Sequence, residues 1–213
     1  MDVEKFEALR RFYLEVEKRD SINGKYSRET RIGLFLRGLF APSDLYDVNA
    51  GIEQLVAEGE IDTSGWFLDA GCGDRRVAKL TAYVHGIPSI GVEGDRVVFN
   101  FGEKITNMHG KSQLVNGVPL IFARGDFRKD KTYRRVGIRF EDIATVFNYI
   151  NNERDIAAKI ARQSPRGTLF ILEDISWIPV TAGTTEFEGL TYVKTIPPDI
   201  NSKLHRCMHV YRK

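Results

Sequence analysis

The stretch Phe67-Leu-Asp-Ala-Gly-Cys-Gly73 constrains this chain more than any other, because an apolar run, an acid and two glycines stand directly before a helical pattern starting at Asp74. A strand ending this way must turn sharply, and Gly71 and Gly73 permit backbone angles and a close ligand approach that a Cβ would block. Glu93 closes the next apolar run, Ser89-Ile-Gly-Val92, and lies 20 residues after Gly73. Nucleotide-binding βαβ units present a ribose-binding acid at about this interval. One carboxylate can accept hydrogen bonds from both ribose hydroxyls.

Beyond Gly65 short apolar runs alternate with helical stretches, the signature of βαβ units and a mostly parallel sheet. Strands are expected at Trp66 to Asp69, Ser89 to Glu93, Pro119 to Ala123, Ile143 to Asn148 and Thr168 to Glu173. Helical crossovers fit Asp74 to His85, Asp95 to Met108 and Asn151 to Arg162, with Gly86 closing the first. Glu186 to Ile196 and Leu204 to Arg212 read as two more strands. Their link, Pro197 to Ser202, is too short for a helical crossover, so they should be antiparallel.

Before this α/β part the chain is mostly helical. Phe6, Leu9, Phe12, Tyr13 and Val16 recur at three- and four-residue steps, which predicts a helix from Val3 to Lys18, followed by turn chemistry at Ser21 to Gly24. Ser27 is expected to cap a second helix ended by Pro42, with Tyr26 in the turn before it. Ser43 or Asp44 opens a third helix carrying Leu45, Val48, Ile52, Leu55 and Val56, closed by Gly59. Residues 1–64 are therefore expected to form a helical extension of one domain whose ligand-binding part is 65–213.

The totals exclude several classes. With 31 Lys plus Arg against 29 Asp plus Glu, the net charge of +2 does not demand a polyanionic partner. The charged start, MDVEKFEALRR, lacks the apolar core of a signal peptide and no later run has bilayer-spanning length, so a cytoplasmic protein without membrane contact is expected. Cys72 and Cys207 show no metal or disulfide spacing and are expected to be reduced thiols. His205 and His209 are four apart but lie in a strand-like run, so no metal site is predicted.

The acid-x-Gly-x-Gly run and the strand-end acid resemble those of the class I S-adenosylmethionine-dependent methyltransferases, from about Trp66 to the C-terminus. The resemblance implies a Rossmann-like, mostly parallel seven-stranded sheet with helices on both faces and an antiparallel C-terminal hairpin. It implies S-adenosylmethionine as cofactor, held by Asp69, Ala70, Gly71, Cys72, Gly73 and Glu93, with Asp126 and Phe127 on the adenine side after the third strand. The chain departs from the pattern at Arg75, where many members carry a third glycine. Arg75 is expected to start the helix and point to solvent; the alternative is that it crowds the cofactor's methionine end. A nicotinamide or flavin dinucleotide site fits less well, because it needs a small residue where Arg76 stands and because Asp69 would repel a pyrophosphate while suiting a cationic ligand.

Methyl transfer needs alignment more than a catalytic triad, so substrate contacts are expected beyond the carboxyl end of the fourth strand. Asn148 and Tyr149 are the catalytic candidates there, placed to hydrogen-bond an amine or the cofactor, while Asn152 reads as a helix cap. The Asn/Asp-Pro-Pro-aromatic run of the family's amino-methyltransferases has no prolines here. Gly-Cys-Gly-Asp-Arg is similar to the corresponding stretch of some non-SET protein-lysine methyltransferases. The acceptor stays open between protein lysine, another amine and nucleic acid. A catalytically silent cofactor-binding regulatory module, or an aminopropyltransferase-like enzyme, would use the same motifs. Arg124 to Arg139 carries seven basic residues offset by only Asp126 and Asp130; it is either a contact for an anionic substrate or a solvated loop.

Overall fold

The computed structural model describes residues 2–23, 42–109, 114–115, 117–149, 152–175 and 186–213. The expected second helix and Tyr26 lie outside them, as do Ile150 and Asn151.

Helix α1 (Val3–Asn23) buries Phe6, Leu9, Tyr13 and Val16, the stripe its sequence presents. It runs past the expected end at Lys18 because nothing in Arg19 to Asn23 costs a helix more than a few tenths of a kcal/mol per residue; the first strong breaker is Gly24. Helix α2 (Leu45–Ala57) starts at Asp44, whose carboxylate accepts the Tyr46 N–H at 2.9 Å, and ends before Gly59, which takes a left-handed φ of 73°.

The α/β part follows in order: β1 (Trp66–Ala70), α3 (Arg76–Tyr83), β2 (Ser89–Glu93), α4 (Arg96–His109), β3 (Leu114–Val115), β4 (Val118–Arg124), α5 (Asp130–Arg134), a single 3₁₀ turn (Phe140–Asp142), β5 (Ile143–Tyr149), α6 (Glu153–Gln163), β6 (Leu169–Ile175), β7 (Thr191–Ile196) and β8 (Arg206–Arg212). One mixed sheet runs β3-β4-β2-β1-β5-β6-β8-β7. Strands β4, β2, β1, β5 and β6 are parallel, and β8 enters antiparallel between β6 and β7. The seven expected strands are all present, joined by the two-residue β3, which pairs antiparallel with β4. Its sequence signal was the Asn-Gly pair between Val115 and Val118, the pairing that two-residue hairpins favour, and Gly117 takes a φ of 80°.

The C-terminal hairpin is shorter than its apolar runs. Phe187 to Leu190 form a turn closed by the Leu190 N–H on the Phe187 carbonyl at 3.0 Å, with Gly189 at a φ of 77°, so β7 starts at Thr191 instead of Glu186. The helix α5 inside the basic stretch and the 3₁₀ turn just after it were not anticipated.

The sheet is covered on both faces, which is why its parallel strands are apolar on both sides. On one face α1, α2, α3 and α4 pack a core that includes Leu9, Tyr13, Ile52, Leu80, Ile105, Phe147 and Ile171. On the other, α6 and the segment from Phe127 to Phe140 cover Leu68, Ile90, Val146 and Phe170. The chain goes outward from β1 to β2 and β4, then returns to the opposite side of β1 for β5. The carboxyl ends of β1 and β5 therefore flank the point where strand order reverses, the place where open α/β sheets bind ligands. Among the described residues no helix is long and apolar enough to cross a membrane.

Candidate functional site at the carboxyl edge of the sheet

The glycine turn is built largely from backbone. The N–H groups of Gly71 and Cys72 both donate to the Val92 carbonyl, at 2.9 and 3.0 Å, and so lash the end of β1 to the end of β2. Gly71 and Gly73 take φ values of 90° and 50°, the left-handed region that glycine enters at little cost. Glu93 closes the turn: its Oε2 accepts the Gly73 N–H at 3.1 Å and its Oε1 the Asp95 N–H at 2.7 Å. Burial pushes the Glu93 carboxyl above the usual range, while these two backbone donors pull it back.

Asp69 lies beneath this turn, 3% exposed, and its Oδ2 accepts the Ala78 N–H at 3.2 Å. Burial pushes its pKa up to about 8, with the carboxylates of Asp74, Glu93 and Glu173 adding to the effect. Asp69 thus anchors α3 under the turn. The charge it was expected to set against a cationic ligand is largely suppressed at neutral pH. Ala70 ends β1 with its carbonyl accepting from Asn148, and the Cys72 thiol is buried, with its pKa raised by desolvation.

Arg75 corrects the sequence reading. It is 3% exposed instead of solvent-facing, and its φ of 73° is the conformation that a third glycine would have adopted. Its guanidinium lies 4.7 Å from the ring centroid of Phe99 and 4.3 Å from that of Phe122, and it donates to Thr106 Oγ1 at 3.0 Å and the Phe99 carbonyl at 3.3 Å. Room for it comes from the facing helix: a Cβ on Gly102 would stand 2.8 Å from the Gly73 carbonyl oxygen and 2.9 Å from Arg75 Nε. The glycine missing from the turn is in effect supplied by α4.

Asp126 and Phe127 follow β4 beside this turn, where the Gly125 N–H donates to the Glu93 carbonyl at 2.9 Å. The Phe127 side chain faces the core, and its carbonyl accepts the Tyr133 hydroxyl at 2.5 Å. Both Asp126 oxygens are held by Arg128, at 2.9 and 3.1 Å, which lowers the Asp126 pKa. The basic stretch is accordingly less free than its sequence suggests. Arg128 also bonds Asp155 at 2.8 Å, and Arg139 is paired with Asp142 at 2.6 Å. Arg124, Lys131, Arg134 and Arg135 are exposed around them.

The two catalytic candidates part company. Asn148 is fully buried and its Nδ2 donates to the Ala70 carbonyl at 2.7 Å, joining the ends of β5 and β1. Tyr149 is half-buried, and the Arg206 guanidinium lies 4.6 Å from its ring centroid. Asn152 takes the N-cap position of α6 at a left-handed φ of 54°, which asparagine tolerates, but its side chain makes no capping bond.

Sequence reasoning missed a polar chain that continues the edge past β5. Arg76 Nε bonds both Asp74 oxygens, at 3.1 and 2.9 Å, while its terminal nitrogens reach the Ser43 carbonyl at 3.1 Å and Glu17 at 2.9 Å. The Ser43 hydroxyl donates to Glu173 near the end of β6, and Arg206 at the start of β8 pairs with Glu173 at 3.7 Å. The Tyr13 hydroxyl in α1 donates to the Asp74 carbonyl at 3.2 Å, so both α1 and the segment entering α2 touch this network. One signal was available: Glu173, like Glu93, is an acid closing an apolar run.

No family model and no curated protein matches the sequence. Solved structures do share the fold. A mutant of MtNAS in complex with S-adenosylmethionine superposes with a TM-score of 0.58 at 16% identity over 78% of this chain. This chain spans only 62% of the MtNAS chain. An RNA methyltransferase from Salinibacter ruber in complex with S-adenosyl-L-homocysteine gives 0.52 at 18% identity, covering 81% of this chain and 93% of its own. An S-adenosylmethionine-dependent methyltransferase from Clostridium acetobutylicum gives 0.54 at 8% identity, covering 91% and 98%. The chain has the Rossmann-like fold of the class I methyltransferases.

Proposed function

We propose that this chain binds S-adenosylmethionine at the carboxyl edge of its sheet and acts as a methyltransferase. The observation that carries this reading is Glu93: a mostly buried acid, fixed by the Gly73 N–H across a left-handed glycine turn, next to the switch in strand order. A carboxylate offers about four lone-pair sites, and Glu93 spends two on backbone N–H groups, leaving two for the hydroxyls of a ribose. In this reading the backbone from Ala70 to Gly73 forms the floor of the site, Asp69 holds that floor in place, and Asp126 and Phe127 flank the adenine.

The bound cofactor would supply a sulfonium methyl already activated for displacement. The chain's own residues would then align the acceptor and exclude water. Solved neighbours of the same fold that are methyltransferases or were crystallised with adenosyl ligands support the assignment. Arg128 and Arg139 are engaged by acids, so we read the basic stretch as a mainly solvated face.

Calorimetry with S-adenosylmethionine, S-adenosylhomocysteine and NAD separates the possibilities. The first two should bind with micromolar affinity and NAD should not. Preference for NAD would mean that the glycine turn serves a dinucleotide, and no binding of any of the three would leave it a structural turn.

A further inference from the structure

If Glu93 holds the ribose and Asp126 and Phe127 flank the adenine, the cofactor runs along the edge from β4 across β2, and its reactive end reaches β1, β5 and beyond. Along that direction Tyr149, the last residue of β5, is the register partner of Glu173 on β6. By strand alternation both side chains belong to the face covered by α1, α2 and α3, as do Phe147 and Ile171. We propose that Glu173 accepts the proton of a protonated primary amine that receives the methyl group, with Ser43 holding the carboxylate, Arg206 beside it and Tyr149 forming the adjoining wall. The proposal rests on the cofactor reading above.

Glu173 has no solvent exposure; its Oε2 takes the Ser43 hydroxyl, but its Oε1 accepts no hydrogen bond among the described residues. The nearest cation, Arg206 Nη1, is 3.7 Å away, well beyond the roughly 2.7–2.9 Å of a charge-assisted bond, and the same nitrogen donates to the Pro42 carbonyl at 3.0 Å. A purely structural buried pair should satisfy both carboxylate oxygens, since a half-satisfied one destabilises the fold. Among the described residues one oxygen is held and the other is left for a donor.

The groups facing Glu173 tilt it toward a base that works near neutrality. Burial pushes its pKa up to about 7, Arg206 and the Ser43 hydroxyl pull down, and Asp47 and Asp44 on and beside α2 push up. Tyr149 on β5 also faces Glu173 across the strand pair. Asp47 is occupied by Ser202 and by the backbone N–H groups of Asp199 and Arg206, so it does not compete for the acceptor.

A primary amine is an ammonium at neutral pH and has no lone pair to attack with. The step is balanced: the ammonium proton moves to Glu173, the freed lone pair forms the N–C bond, and the C–S bond breaks with its electron pair going to sulfur. The products are the methylated ammonium and neutral S-adenosylhomocysteine, and Glu173 later loses its proton to solvent.

Wild type and Glu173→Gln are compared with methyl-labelled S-adenosylmethionine and poly-L-lysine or spermidine as primary-amine probes, with tRNA as the contrasting acceptor. The variant should bind S-adenosylhomocysteine within about twofold of wild type, which shows that it folds, yet transfer to the amine probe should fall by roughly a hundredfold or more. Wild-type kcat/KM should rise through a pKa near 7, and that rise should be absent from the variant. Independently of turnover, the ¹³C carboxyl resonance missing from Glu173→Gln should titrate near 7 and move to lower pH when spermidine is added to the S-adenosylhomocysteine complex. Unchanged transfer in the variant, a carboxyl resonance indifferent to spermidine, or transfer to tRNA and to neither amine would overturn the proposal. Failure of the wild type to bind S-adenosylhomocysteine would instead strike down the cofactor reading beneath it.

Discussion

The two halves of the carboxyl edge are put together in opposite ways. From the glycine turn to the end of β4 the site is made of backbone groups and near neighbours: Glu93 reaches Gly73 across 20 residues and Asp95 across two, and Arg128 holds Asp126 across two. From β5 to β8 it is made of side chains brought in from afar, with Ser43 and Glu173 separated by 130 residues and Arg206 and Pro42 by 164. The first half is built from pieces a short motif can encode. The second exists only once α2, β6 and β8 have packed together, and it is where chemistry can vary without disturbing the turn.

The sharpest test of this contrast is Arg75, a long side chain buried under the backbone-built half. Arg75→Ala keeps the left-handed strain and loses two ring contacts and two hydrogen bonds, so it should cost about 3 kcal/mol in urea unfolding. Arg75→Gly should cost about 1 kcal/mol less, because glycine relieves the strained φ. Equal losses for the two variants would show that the backbone at this position is not under strain.

Asp69 gives a pH-dependent effect with a definite sign. Its folded pKa is raised to about 8, so between the usual carboxylate range and about 8 the unfolded chain releases a proton that the folded protein keeps. Stability must therefore fall as pH rises through that window, by up to about 1.4 kcal/mol per pH unit from this group alone. Asp69→Asn can still accept the Ala78 N–H, and its melting temperature should decline less between pH 5 and pH 8 than that of wild type. Parallel declines would place the Asp69 charge outside the buried floor of the turn.

Legibility in the sequence follows the same division. The parallel strands could be read because both faces are covered and each strand is a short apolar run, and the terminal hairpin because six residues cannot carry a crossover. Glu93 was legible through its spacing from Gly73. Arg75 was misread, since its burial depends on Phe99, Gly102 and Thr106 of α4 and on Phe122 of β4, and nothing local announces those contacts. Asn148 looked outward by position, but its amide turns inward to donate to the Ala70 carbonyl where β1 ends. Glu173 carried the same strand-end signature as Glu93 without a glycine turn beside it, so it could be found only after β6 and β8 were paired.

Binding of S-adenosylhomocysteine to wild type and to Glu93→Ala, followed by calorimetry, tests the central claim most directly. The variant should weaken binding by more than about 1.5 kcal/mol, as expected when charge-assisted bonds to a buried ribose are lost. Affinity equal to that of wild type would contradict the account by removing Glu93 from the site.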